Sequence, residues 1–110
     1  MDIVKMAVKE ITNGAFSEFI SDKGLKVVDF FAEWCMPCVM MGPVFEGLAS
    51  VEDNSEVGFA KVNIEDAREL AQEYQVASIP CIIFFKDGKE VDRSIGALNE
   101  EALQEKINEN

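Results

Sequence analysis

No histidine occurs among the 110 residues, and there are only three cysteines, three prolines, one tryptophan and one tyrosine. The missing histidine excludes a Ser-His-Asp triad, a Cys-His protease and an imidazole-ligated metal, since each needs a group titrating near neutrality or a nitrogen ligand. Three thiols cannot complete a four-sulfur zinc site. Basic side chains are also scarce: ten Lys and Arg stand against 21 Asp and Glu, for a formal charge of −11. Phosphate neutralisation needs clustered cations, so nucleic acid and anionic membranes are not expected partners, and the acidity reads as solubility. The first ten residues, MDIVKMAVKE, carry charges at Asp2, Lys5, Lys9 and Glu10 and no unbroken apolar run. Neither a signal peptide nor a membrane anchor is expected there. A cytoplasmic location is the default, and in that compartment structural disulfides are rare, so closely spaced cysteines point to redox work or metal binding.

What the chain does have is apolar material in periodic runs. With 48% hydrophobic residues, a chain of this length buries about 60–70% of its unfolded surface, enough for one core, and residues 1–110 are expected to form a single domain. Ile3, Val4, Met6 and Val8 predict a first short strand. Thr12 or Asn13 then caps a helix with Phe16, Phe19 and Ile20 at helical spacing, closed by Gly24. Residues 25–32, LKVVDFFA, are nearly all apolar, as a central strand covered on both faces should be. From Met36 to about Val51 the positions Met40, Met41, Val44, Phe45 and Leu48 keep helical spacing, with Pro43 inside, where it removes a backbone hydrogen bond and kinks the helix. Residues 57–64 predict another strand, and 67–73 a short helix with Ala67, Leu70 and Ala71 inward. Asp87-Gly88, between CIIFF and EVDRSI, is the strongest hairpin signal in the chain. Asn99 caps a last helix whose Glu100 and Glu101 suit its dipole and whose Leu103 and Ile107 turn inward. The order βαβαβαββα implies parallel crossovers followed by an antiparallel hairpin: an α/β fold with a mixed central sheet and helices on both faces.

Cys35 and Cys38, three apart at a strand-to-helix junction, are the candidate chemistry. A cysteine at the first turn of a helix faces unpaired backbone N–H groups and the positive end of the dipole, which stabilise its thiolate. The second thiol, one turn further on, lies on the same side within disulfide reach. This suits attack by Cys35 on a substrate disulfide, formation of a mixed disulfide, and release when Cys38 attacks in turn. Pro37 fits the first helical turn, where its missing donor would be unpaired anyway.

DFFAEWCMPC, Pro43 within the helix, AKVNIE, SIPC, FFKDGK and IGAL resemble the thioredoxin family in order and interval, over essentially the whole chain. The resemblance implies a thioredoxin-like three-layer sandwich. It also implies a small dithiol protein that reduces disulfides in target proteins, is re-reduced by a thioredoxin reductase, acts as a monomer, and needs no cofactor beyond a redox-active Cys35–Cys38 disulfide. Carried over residue by residue, Cys35 is the attacking thiol, Cys38 the resolving thiol and Pro80 the cis-proline beside them. Trp34, Met36, Pro37, Ile64, Ile79, Gly96 and Ala97 fall on the substrate surface. Four positions depart from the familiar pattern: Met36 stands where glycine is usual, Phe31 where a second tryptophan is common, Val39 where lysine is frequent, and Cys81 where threonine is usual.

Without histidine, proton transfer to and from the thiols falls to another group. Strand alternation places Asp29 on one face with Val27 and Phe31, so its carboxylate is expected to be partly buried, with a pKa raised toward the working range of a general acid or base. The plain alternative is a solvated strand carboxylate. Lys61 shares a face with Val57 and Phe59, and the resemblance makes it the partner of Asp29. Cys81 has two readings: a small buried residue under the active loop, or a third thiol that forms an alternative disulfide or, with the pair, binds a soft metal or an iron–sulfur cluster across a dimer. Met40 and Met41 read as helix packing, and Trp34 as a partly exposed contact residue. Two rivals to the reductant remain: a disulfide oxidase or isomerase on the same fold, and a non-catalytic binding module or metal carrier.

Overall fold

A computed structural model describes residues 8–110. In it β1 (Val8–Glu10), α1 (Asn13–Ser21), β2 (Leu25–Phe31), α2 (Met36–Ala49), β3 (Gly58–Asn63), α3 (Arg68–Glu73), β4 (Cys81–Lys86), β5 (Lys89–Ile95) and α4 (Glu100–Glu109) follow the expected order, with a 3-10 turn at Glu52–Asn54 after α2. The sheet runs β1-β3-β2-β4-β5. β2 pairs parallel with β3 and antiparallel with β4, and β1 is parallel to β3. The apolar run of 25–32 therefore occupies the centre of a mixed sheet.

Period-two alternation along the central strands sorts the core into two layers. Val28 and Phe30 of β2, with Ala60, Val62, Ile83 and Phe85, meet Phe16 and Ile20 of α1 and Leu70 of α3. Val27, Phe59, Ile82 and Phe84 meet Met41, Phe45 and Leu48 of α2 and Leu103 and Ile107 of α4. Each fully buried side chain of this kind contributes roughly 1.5–3 kcal/mol, so the two layers fix which ends of the strands lie together. Asp87 and Gly88 both adopt positive φ, 54° and 81°, the type I′ geometry that matches the twist of the β4–β5 hairpin. Asn99 caps α4, its side-chain oxygen accepting from the Ala102 N–H at 2.8 Å.

Several expectations need correction in detail. Of the first strand only Val8 falls within the described residues; Ile3, Val4 and Met6 lie outside them, and the described strand extends on to Glu10. Thr12 takes the N-cap position of α1, but its side chain makes no capping hydrogen bond. Gly24 does not close α1: the helix ends at Ser21, and Gly24, at φ +90°, makes the later turn into β2. The buried Lys26 ammonium instead donates to the carbonyls of Asp22 and Lys23. α2 runs through Pro43 as expected, but ends at Ala49 rather than near Val51. Met41 packs in the core as expected, whereas Met40 is exposed, because successive residues of a helix point about 100° apart and only one can face the sheet.

Asn54 had no periodic signal and became visible only in three dimensions. It is buried, and its Nδ2 donates to the Leu48 carbonyl at 2.9 Å and to Gln104 Oε1 at 2.8 Å, while Gln104 Nε2 donates back to Asn54 Oδ1 at 3.0 Å. This pairing ties the end of α2 to α4. Asn54→Ala removes those bonds, leaving the Gln104 amide without its partner and the Leu48 carbonyl with only the Val51 N–H; denaturant unfolding is expected to register a loss of about 1–3 kcal/mol. A loss below the error of the measurement would mean that the tether contributes nothing.

Candidate active site

β2 delivers the chain to the site. After Phe31 and the buried Ala32 the backbone turns through Glu33 and Trp34, and the Cys35 N–H closes the turn on the Ala32 carbonyl at 3.2 Å. Cys35 occupies the N-cap of α2 with extended backbone, φ −88° and ψ 107°, and its Sγ accepts the Cys38 N–H at 3.3 Å. Sulfur here does what a capping oxygen does elsewhere: it satisfies an otherwise unpaired donor at the positive end of the helix. Pro37 lies in the same first turn. Cys35 and Cys38 are joined in a disulfide, with Cα atoms 5.2 Å apart, and both are buried.

The ends of three other strands complete the surroundings. The Ile64 N–H bonds the Phe31 carbonyl at 2.9 Å, which holds the residue after β3 beside the end of β2. The Ile79–Pro80 peptide is cis, and the Ile79 carbonyl lies 3.8 Å from Cys35 Sγ. Gly96, at φ +98°, donates its N–H to the Pro80 carbonyl at 2.8 Å and places Ala97 at the surface next to it. Ile64, Ile79 and Phe31 pack against Ala32, Cys35 and Cys38. Trp34, Met36 and Pro37 stand exposed around the pair. The residues expected on one surface are thus gathered at one end of the sheet.

Asp29 is buried on the α2 side of β2, and its Oδ1 has no hydrogen-bond partner. Burial pushes its pKa from 3.8 up to about 7, while the Lys61 charge pulls the other way. In the parallel register Asp29 lies opposite Lys61, whose ammonium sits 5.4 Å from the centre of the Phe31 ring. A cleft of about 300 Å³ joins Asp29 and Lys61 to Cys38, with Phe31, Glu33 and Val39 among its walls. Wider clefts elsewhere, such as that between α2 and α4, contain none of the cysteines.

Cys81 is a free, buried thiol packed with Phe30, Ile83 and the α1 and α3 side chains, on the opposite face of the sheet from Asp29. Burial raises its pKa, against a smaller pull from Arg93. Its surroundings are those of a compact core residue. Among the described residues, no group of three or more Cys, Asp or Glu side chains is placed to hold a metal ion, and no helix is long and apolar enough to cross a membrane.

Two site residues escaped the sequence reading. Glu65 accepts the Trp34 indole N–H at 3.0 Å, and Asn63 Oδ1 in turn accepts the Glu65 N–H at 2.9 Å. The second contact is an Asx turn, a local signal that Asn at a strand end can give. The first joins residues 31 apart in sequence and has no local signal.

This arrangement has close counterparts. The Thioredoxin family model matches residues 7–109. Thioredoxin from Chlamydia caviae is 47% identical over 102 residues, covering 93% of this chain and 97% of its own. Thioredoxin from Mycoplasmoides gallisepticum is 42% identical over 99 residues, covering 89% and 97%. Among solved structures, thioredoxin from Malassezia sympodialis superposes with a TM-score of 0.86 at 35% identity, covering 93% of this chain and 91% of that one. A mutant thioredoxin from Halobacterium salinarum gives 0.85 at 31%, covering 93% and 88%. With fold, disulfide and sequence in agreement, the chain belongs to the thioredoxin family of disulfide oxidoreductases.

Proposed function

We propose that this chain is a protein-disulfide reductant: a single-domain, monomeric, cytoplasmic electron carrier that uses the Cys35–Cys38 dithiol, requires no bound cofactor, and is re-reduced by a thioredoxin reductase. The observation that carries the reading is the capping of α2 by Cys35 Sγ, which accepts the Cys38 N–H at the helix N-terminus. A sulfur so placed is stabilised as the thiolate, the nucleophilic form.

In the reduced protein the Cys35 thiolate attacks one sulfur of a target disulfide, forms a mixed disulfide and expels the target's other sulfur as a thiolate, which takes up a proton. Cys38 then loses its proton and attacks Cys35 Sγ. The Cys35–Cys38 disulfide forms, the second target thiol leaves, and the target has gained two electrons. Asp29 receives the Cys38 proton; its pKa of about 7 suits transfer near neutrality. The cleft between them, about 300 Å³ and bearing the polar groups of Asp29, Glu33 and Lys61, is roomy enough for bridging water. Lys61 limits how far burial raises the Asp29 pKa.

Targets lie extended against Ile79 and Pro80 with β-type backbone contacts. Trp34, Met36, Pro37, Ile64, Gly96 and Ala97 offer shallow apolar contacts around the sulfurs, which suits broad specificity. Turnover tests the reading. With a thioredoxin reductase as electron source, the chain is expected to reduce a model disulfide protein catalytically, and Cys35→Ser is expected to abolish that reduction. Absence of turnover by the unsubstituted chain would refute the proposal.

A further inference from the structure

One apolar surface is larger than the chemistry so far requires. Residues 34–45 contain no charged side chain, in a chain of net charge −11. Within this stretch Trp34, Met36, Val39 and Met40 are 67%, 66%, 54% and 70% exposed. Core packing does not account for Met40, because the neighbouring Met41 fills the layer beneath α2. Met36 and Met40 are four apart on one helix and therefore lie one above the other on the same face, with Val39 at their side. The result is a continuous apolar ledge that starts at the disulfide and runs along α2. Contiguous exposed apolar surface of this kind marks an interaction site.

The position of Cys35 says what must cover the ledge. Its sulfur is recessed, with Trp34 and Met36 standing exposed around it. A target sulfur that reaches it brings its own flanking chain down over them. Met40 lies five residues beyond Cys35, an axial distance of about 7.5 Å at helical rise. An extended chain advances about 3.3 Å per residue, so about two residues of target span that distance.

We propose that Met40, with Val39 beside it, extends the docking face beyond the disulfide and seats an apolar side chain of a target protein about two residues from its attacked cysteine. This inference rests on the reductant reading above. Methionine suits the role because its unbranched thioether repacks around side chains of different shape.

The test compares a disulfide-containing protein with a small aromatic disulfide as substrates of the same reduced chain. Combined Val39→Ser and Met40→Ser substitution is expected to lower kcat/KM for the protein relative to the small disulfide by about tenfold, through KM, as loss of a partly buried apolar contact should. Met40→Gln, matched in length, is expected to shift the ratio in the same direction, and Met40→Leu to retain it. Val91→Ser, at an exposed apolar position on β5, is the control. An unchanged ratio in both polar variants would overturn the ledge while leaving the reductant reading intact. Reduction of neither substrate by the unsubstituted chain would refute both.

Discussion

Cys38→Ser is expected to convert a turning-over reductant into a trap. Cys35 keeps its place at the N-terminus of α2, where the residue 38 N–H still points at its sulfur. The first exchange with a target disulfide therefore proceeds. The second does not, because a serine hydroxyl is not ionised near neutrality and cannot displace the target sulfur from Cys35. The mixed disulfide accumulates, turnover falls to background, and a covalent adduct of one chain and one target is expected on non-reducing gels and by mass spectrometry. Cys35→Ser gives no adduct, since Cys38 lies inside the first turn of α2 and lacks the N-cap geometry that stabilises the Cys35 thiolate. A stable adduct through Cys38 in the Cys35→Ser protein, with none through Cys35 in the Cys38→Ser protein, would reverse the assignment of the two thiols.

Asp29→Asn carries the largest expected effect on stability. The unfolded carboxyl releases its proton near 3.8, whereas the folded one holds it to about pH 7 because burial disfavours the charge. Between those values the folded state binds more protons than the unfolded, so stability falls as pH rises through the interval and stays lower above it. The interval corresponds to roughly 4 kcal/mol once the group is ionised in the fold. Asparagine cannot ionise but remains a buried polar group, so the variant is expected to be more stable than the parent by about 2–4 kcal/mol at pH 7, with the difference vanishing toward pH 4. The same substitution removes the proton acceptor proposed for Cys38 and is expected to slow disulfide exchange by on the order of 100-fold, with loss of the inflection near pH 7 in the rate profile. Denaturant unfolding at the two pH values checks the first part. Equal stability of the two proteins at both would contradict the burial of an ionisable group, whatever the kinetics.

Much of this fold was legible in the chain because its signals are local and agree with one another. LKVVDFFA reads as a strand buried on both faces, and it lies between two neighbours at the centre of the sheet. Asp-Gly at 87–88 and Asn at 99 do what their backbone chemistry favours. The disulfide was readable for the same reason: both cysteines lie within one helical turn, so spacing and helix start together determine their geometry. Parity along β2 also foretold the burial of Asp29. What was not legible depends on contacts between distant segments. The Asn54–Gln104 pairing joins residues 50 apart, and Glu65 reaches Trp34 from just beyond the end of β3, 31 residues away in sequence. Met40 failed for a different reason. Two adjacent methionines both satisfy a loose helical spacing, and only the rotation of α2 against the sheet decides which is buried.

The direction in which the dithiol passes electrons separates a reductant from an oxidase on the same fold. From residue 27 to residue 60 the chain contains no Lys or Arg, and Val39 follows Cys38 directly, so the segment that carries the Cys35 thiolate offers it the helix N-terminus but no cation of its own. Strong thiol oxidases owe their potential to a highly stabilised reduced form; the segment around Cys35 adds no positive side chain toward that. The most direct test is the reduction potential of the Cys35–Cys38 pair, measured by equilibration with a thiol redox buffer of known potential. We expect a reducing value close to that characteristic of thioredoxins, about −270 mV. A value near the −120 mV or so of the strong oxidases would contradict the reductant assignment.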